Sequence, residues 1–199
     1  MKKWLIPVII IALVVYGLYS WAVGINNTAV ELEANAKTAW SNVESSYQRR
    51  NDLIGNLIKT VQGAADFERT TLREVIEARA KATSTTIDAT NLTADNMAQF
   101  QQAQSGLSGA LSKLLVSVER YPELKANQNF LELQSQLEGT ENRINVARDR
   151  YNEKVNIYDI HTTKFPGKFL AGLFGFEEMP RYKADAGSEN APDVEFDFN

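Results

Sequence analysis

Hydrophobic positions divide the chain into an uncharged N-terminal run, three long stretches of helical period, a short aromatic block and an acidic end. Trp4 to Ile25 reads WLIPVIIIALVVYGLYSWAVGI, without a charge. Its roughly 22 residues span about 33 Å as a helix, which matches a hydrocarbon core of about 30 Å. Trp4 marks one end; Tyr16, Tyr19 and Trp21 mark the other, as in an interfacial aromatic belt. Pro7 sits near the start, where a missing N–H does least harm. Ser20-Trp21-Ala22 is a passable cleavage site for a signal peptide. The apolar run is long for a signal, however, and bulky aromatics crowd that site, so a retained transmembrane helix is expected. Lys2 and Lys3 precede the span, whereas the first charges after it are Glu31 and Glu33. The positive-inside rule then keeps the N-terminus in the cytoplasm and sends residues 26–199 to the other side.

From Asn27 to about Ala82 there is no proline, and Trp40, Val43, Tyr47, Ile54, Ile58, Val61, Ala65, Leu72 and Val75-Ile76 recur in steps of three and four. Arg50 interrupts that stripe, and Gly55 and Gly63 lower local helix propensity. The pattern predicts either one long helix kinked near Gly55 or two helices. Thr83 to Asn91 (TSTTIDATN) is a poor helix and a good loop, after which Thr93 or Asp95 can cap a new helix. Met97, Phe100, Gln104, Leu107, Leu111, Leu114, Val118 and Tyr121 form a heptad-like seam, edged by small residues from Ser105 to Ala110 and ended by Pro122. The third stripe is Phe130, Leu133, Leu137, Ile144, Ala147, Tyr151, Val155 and Tyr158, stopping before Pro166. An all-α fold follows. A transmembrane helix leads into an elongated antiparallel bundle of three long helices, or four, whose stripes form a shared core.

FPGKFLAGLFGF, residues 165–176, gathers Phe165, Phe169, Leu170, Leu173, Phe174 and Phe176. The block is too short to cross a bilayer, so it either closes one end of the core or contacts a partner or a membrane surface. Beyond it, residues 177–199 hold seven acidic and two basic residues and read as an acidic, disordered tail. Three segments result: 1–25 as N-terminus and span, 26–176 as bundle, and 177–199 as tail.

Chemistry narrows the picture by exclusion. There is no cysteine and one histidine, His161, which leaves no thiolate site and no pair of imidazoles for a metal. A lone histidine on a helix is an ordinary surface or core residue. A net charge of −4 argues against nucleic-acid binding. No nucleophile–base pair or cofactor fingerprint stands out, so no catalytic residue, cofactor, metal or small-molecule substrate is expected, and the chain does not read as an enzyme. The polar groups beside the stripes, Arg50, Asp52, Asn56, Glu141, Arg148 and Asn152, are expected to pair across the first and third long helices, because an unpaired buried charge is costly.

SYQRRNDLIGNLIKTVQGAADFERTTLREVIEARA (46–80), ERYPELKANQNFLELQSQLEGTENRINVARDRYN (119–152) and FPGKFLAGLFGF occur in this order, and together they resemble the LemA family across nearly the whole chain outside the tail. That resemblance implies a bacterial single-span protein with a helical bundle outside the cytoplasmic membrane and no established catalytic activity or cofactor. Matching motif positions include Arg50, Asp52, Asn56, Tyr121, Pro122, Glu141, Arg148, Asn152, Phe165 and Pro166. Where the family pattern carries proline in a DLIPNL segment, this chain has Gly55. The expected role is a self-associating scaffold of the cell envelope, a homo-oligomer held in the lipid bilayer through Trp4 to Ile25. The alternative is an adaptor for a membrane-bound protease, transporter or envelope-stress system, docking through 165–176. A third reading has that segment touch lipid in a membrane-stress response.

Overall fold

A computed structural model describes residues 4–63 and 67–183. The described chain is all helical: α1 (Leu5–Gln62), α2 (Arg69–Ser84), α3 (Ala94–Val118), α4 (Pro122–Lys125), α5 (Gln128–Thr163) and α6 (Gly167–Phe174). The first helix is 58 residues long. At about 1.5 Å per residue it extends roughly 87 Å, and it passes from the apolar run into the bundle without interruption. Side chains of the apolar run from Trp4 to Tyr19 are exposed, whereas burial begins in earnest at Ala29, where the bundle starts.

Residues 27–82 therefore form two helices, and the break falls at Gly63, not at Gly55. Gly55 lies inside α1, where its bare Cα admits a side chain from α2: a Cβ there would sit 2.9 Å from an Arg79 guanidinium nitrogen. Arg79 Nε in turn donates to the Asn51 carbonyl at 2.8 Å. The glycine thus serves a helix crossing and does not end the helix. Beyond Gly63 the reversal is fixed by Phe67, which is buried and packs 4.9 Å from the Tyr121 ring, and by Glu68, which pairs with Arg120 at 3.0 Å. The helical stripe continues in register across this turn, so periodicity alone does not reveal it.

The order of contacts gives the topology. Arg50 of α1 meets Glu141 of α5, and Ile25 of α1 meets His161 of α5; these helices run antiparallel. Glu74 meets Lys113, and the Ala82 carbonyl meets Gln104, so α2 and α3 are antiparallel too. Four long helices thus alternate in direction, the up-down-up-down form of a bundle. Thr93 caps α3 through a reciprocal box with Asn96, and the Asn127 side chain caps α5 on the Phe130 N–H; both satisfy amides that a helix start leaves unpaired.

The three sequence stripes face inward except at Ile76, which is exposed, and Ala65, which lies outside the described residues. One cluster, distal from the apolar run, joins Leu53, Leu57, Val61, Phe67, Val75, Leu107, Leu114 and Leu137. A proximal cluster joins Trp40, Val43, Tyr47, Ile87, Phe100, Ile144, Tyr151 and Val155. Its aromatic rings meet edge to face, Trp40 lying 5.5 Å from Phe100 and 5.3 Å from Tyr151, an arrangement that favours positive ring edges on negative faces. The Thr83–Asn91 loop is anchored there by Ile87, whose carbonyl accepts from Trp40 Nε1 at 3.4 Å.

Candidate functional site

Between the two apolar clusters lies a polar layer built around Arg50. The residue interrupts the hydrophobic stripe of α1, yet it is only 4% exposed. Its guanidinium donates to Gln104 Oε1 at 2.6 Å, the Gln104 carbonyl at 3.3 Å, Ser108 Oγ at 3.0 Å and Glu141 Oε2 at 3.2 Å. Tyr47 offers its ring face 4.8 Å from the guanidinium carbon, a cation–π contact. Gln104 occupies a seam position of α3, is itself buried, and donates onward to the Ala82 carbonyl at 3.4 Å. One cation therefore ties α1, α3 and α5 together, and Gln104 extends the tie to α2. Charge-assisted bonds of this kind are about twice as strong as neutral ones, which offsets the cost of desolvating the guanidinium. A cavity of about 290 Å³ opens beside this layer, lined by Arg50, Ile54, Ser108, Leu111, Leu137 and Glu141 among others.

The expected pairing across the first and third long helices is present at Arg50 and Glu141 and absent at the other positions. Asp52 and Asn56 point outward from α1; Asp52 receives only a bond from Gln48, one turn back. Arg148 and Asn152 of α5 instead meet the segment after α6. Asn152 accepts from the Tyr182 N–H at 2.8 Å and donates to its carbonyl at 3.0 Å. Arg148 covers the Tyr182 ring at 4.0 Å and donates to the Lys183 carbonyl at 3.3 Å.

These bonds correct the tail boundary. Residues 177–183 form a strap on the bundle, and only 184–199 of the expected disordered tail lie outside the described residues. The strap runs antiparallel to the end of α5. Tyr158 donates to the Glu177 carbonyl at 2.8 Å, Tyr151 to the Pro180 carbonyl at 2.6 Å, and Asp159 pairs with Arg181 at 2.9 Å. Tyr182 is buried with its hydroxyl 2.6 Å from that of Tyr47. Burial pushes the Tyr47, Tyr151 and Tyr182 phenols above their ordinary range, and burial with the nearby Glu33 and Asp159 carboxylates pushes Tyr158 up to about 12. The acidic composition hid this strap; the signal was the apolar and aromatic pair Met179 and Tyr182 within it.

The aromatic block splits between the two readings made for it. Leu170 and Ala171 of α6 are buried against the bundle, Phe176 is half-buried, and Phe165, Phe169, Leu173 and Phe174 are exposed. His161 is a structural residue that ties the last turn of α5 to α1 just past the apolar run: its Nε2–H donates to the Ile25 carbonyl at 3.0 Å.

The model of the LemA family matches residues 39–196. The chain belongs to the LemA family. The match takes in the Arg50 layer, α5, α6 and the strap, and so assigns them all to one family domain. This LemA-family chain is also 25% identical over 174 residues to magnetosome protein MamQ 2 of Paramagnetospirillum magneticum, covering 79% of this chain and 64% of that protein. It is 26% identical over 170 residues to magnetosome protein MamQ of Magnetospirillum gryphiswaldense, covering 77% and 62%. Similarity to protein LemA of Metamycoplasma hominis is 23% over 130 residues, covering 65% and 56%. The chain thus spans a little under two thirds of the length of these relatives. With its long, exposed, apolar N-terminal helix it is a membrane-associated helical protein.

Proposed function

We propose that this LemA-family protein is a non-enzymatic scaffold of the cell envelope. It is anchored in the cytoplasmic membrane by the apolar part of α1, carries its bundle on the outer side, and self-associates. The observation that carries this reading is the continuity of α1 from anchor to distal core. A helix with no joint between membrane and domain holds the bundle at a fixed attitude to the bilayer, which suits lateral assembly better than a tethered catalytic domain. Most polar groups of the buried arginine layer, the tyrosine hydroxyls and the strap are engaged in internal bonds that stiffen the bundle. The outer face of α3 supports self-association. Gly106 and Gly109 have open space where a Cβ would stand, and Val116 is exposed, so a second helix can approach closely there.

The test is the mass of the full-length protein in detergent and in nanodiscs, measured by light scattering, alongside cross-linking of Gly109→Cys. The natural chain has no cysteine, so any disulfide dimer reports that face alone. A discrete assembly with cross-linked α3 faces is the expected result; a monodisperse monomer in both media refutes it. An adaptor that docks through α1, not through 165–176, has one observation in its favour: Asp52 and Asn56 match the family motif yet face a surface groove that Arg143 also lines. If the protein is a monomer, Asp52→Ala should abolish co-purification of a membrane partner while leaving helicity intact.

A further inference from the structure

Three exposed side chains of the aromatic block are spaced by four residues: Phe165, Phe169 and Leu173, at 89%, 73% and 70% exposure. Phe169 and Leu173 share an outward face of α6, with Phe165 exposed in the turn just before the helix, while Gly167, Leu170 and Ala171 are buried on the bundle. Contiguous exposed apolar surface of this kind marks an interaction site. Its place in the chain path identifies the occupant. α5 runs toward the apolar anchor, and its last turn is held to Ile25, the end of the uncharged run, through His161. α6 follows directly and packs on α1 and α5. The strap then runs back along α5, from Tyr158 to Asn152 and Arg148. These outward side chains therefore sit at the chain's reversal at the membrane-proximal end of the bundle, just after the point where His161 meets Ile25. Lys164 and Lys168 flank it and are exposed, placed to reach lipid phosphates while their stems lie on apolar surface.

We propose that α6 is a second membrane contact: an interfacial foot whose Phe165, Phe169 and Leu173 enter the bilayer surface beside the transmembrane part of α1, with Lys164 and Lys168 at the headgroups. Partial glycine content and shortness make it a poor helix on its own, but the covalent anchor holds it at the interface, so weak lipid contact is enough. The continuous α1 fixes the bundle relative to its own span; the foot adds a second point of contact that also limits rotation about the axis of that span. The foot does not depend on self-association.

Phe169→Cys, Leu173→Cys and, as an aqueous reference, Gln62→Cys are each spin-labelled in the full-length protein in bilayers of phosphatidylethanolamine and phosphatidylglycerol. Gln62 is exposed and is the last residue of α1, at the end of the bundle far from the apolar run and off the α3 face. All three side chains are exposed, so helicity should match the parent chain. The expected result is a ratio of oxygen to nickel-chelate accessibility several-fold higher at 169 and 173 than at 62. Ratios equal to that at 62 overturn the proposal. Labels shielded from both reagents overturn it too: with dipolar broadening they identify a second copy on this surface, and without it packing of the segment on its own bundle.

Discussion

Arg50 is the position where sequence pattern and stability part company, and the layer permits a magnitude to be worked out. Arg50→Met replaces the guanidinium with an apolar chain of similar length. Glu141 loses its ion-pair partner, but its side chain is about half exposed (49%), so water replaces most of that contact and the loss is within about 1 kcal/mol. Ser108 Oγ keeps its bond to the Gln104 carbonyl. The main cost falls on Gln104 Oε1, which loses its one 2.6 Å donor while remaining buried. A buried acceptor left without a partner costs about 1–3 kcal/mol. Removing a buried cation returns part of its desolvation cost, so Arg50→Met should destabilise by about 2 kcal/mol in all. Arg50→Met with Gln104→Met removes donor and acceptor together and should recover most of that loss, less the long 3.4 Å bond to the Ala82 carbonyl that Gln104 also gives up, because replacing both partners by apolar groups of similar shape is nearly neutral. The assay is urea unfolding of the full-length chain in detergent, followed by far-UV circular dichroism. Wild-type stability in Arg50→Met, or a double variant no better than the single, would refute the account of an orphaned amide.

Two further outcomes follow from the membrane-proximal end. A Cβ at Gly167 would lie 2.0 Å from the His161 carbonyl oxygen, so Gly167→Ala must displace α6 from the end of α5; a loss of about 1–3 kcal/mol is expected, with hydrogen exchange accelerated across 167–183 and unchanged in α2. In alkali, Tyr158 holds its proton up to about 12 in the folded chain, while unfolding restores the ordinary value of about 10. The folded state binds more protons in that interval, so stability is full below about pH 10 and falls as pH rises toward 12. Tyr47, Tyr151 and Tyr182 shift in the same direction. Phenolate absorbance should therefore rise in two stages, the second coinciding with loss of helicity; a single stage at pH 10 with helicity intact would contradict the buried strap.

The sequence by itself determined what short-range physics controls. Twenty-odd uncharged residues with aromatic ends can only be a long apolar helix, and seams spaced three and four apart must face a common core. A capped start at Thr93, a stop at Pro122 and a loop of β-branched residues before it are set by neighbours within a few positions. Tertiary structure alone decided the rest. The turn after Gly63 was invisible because the stripe stays in register across it, and only burial of Phe67 on Tyr121 shows where the chain reverses. Gly55 looked like a hinge because propensity counts a missing side chain as weakness; in the bundle the gap holds Arg79. Polar residues on a stripe announced that charges must be paired, but not with whom. Arg50 found Glu141 and Gln104, Asp52 found solvent, and Arg148 and Asn152 found a strap whose composition reads as disorder. Partners separated by thirty to ninety positions are chosen by the geometry of packing, and local pattern carries no information about that geometry.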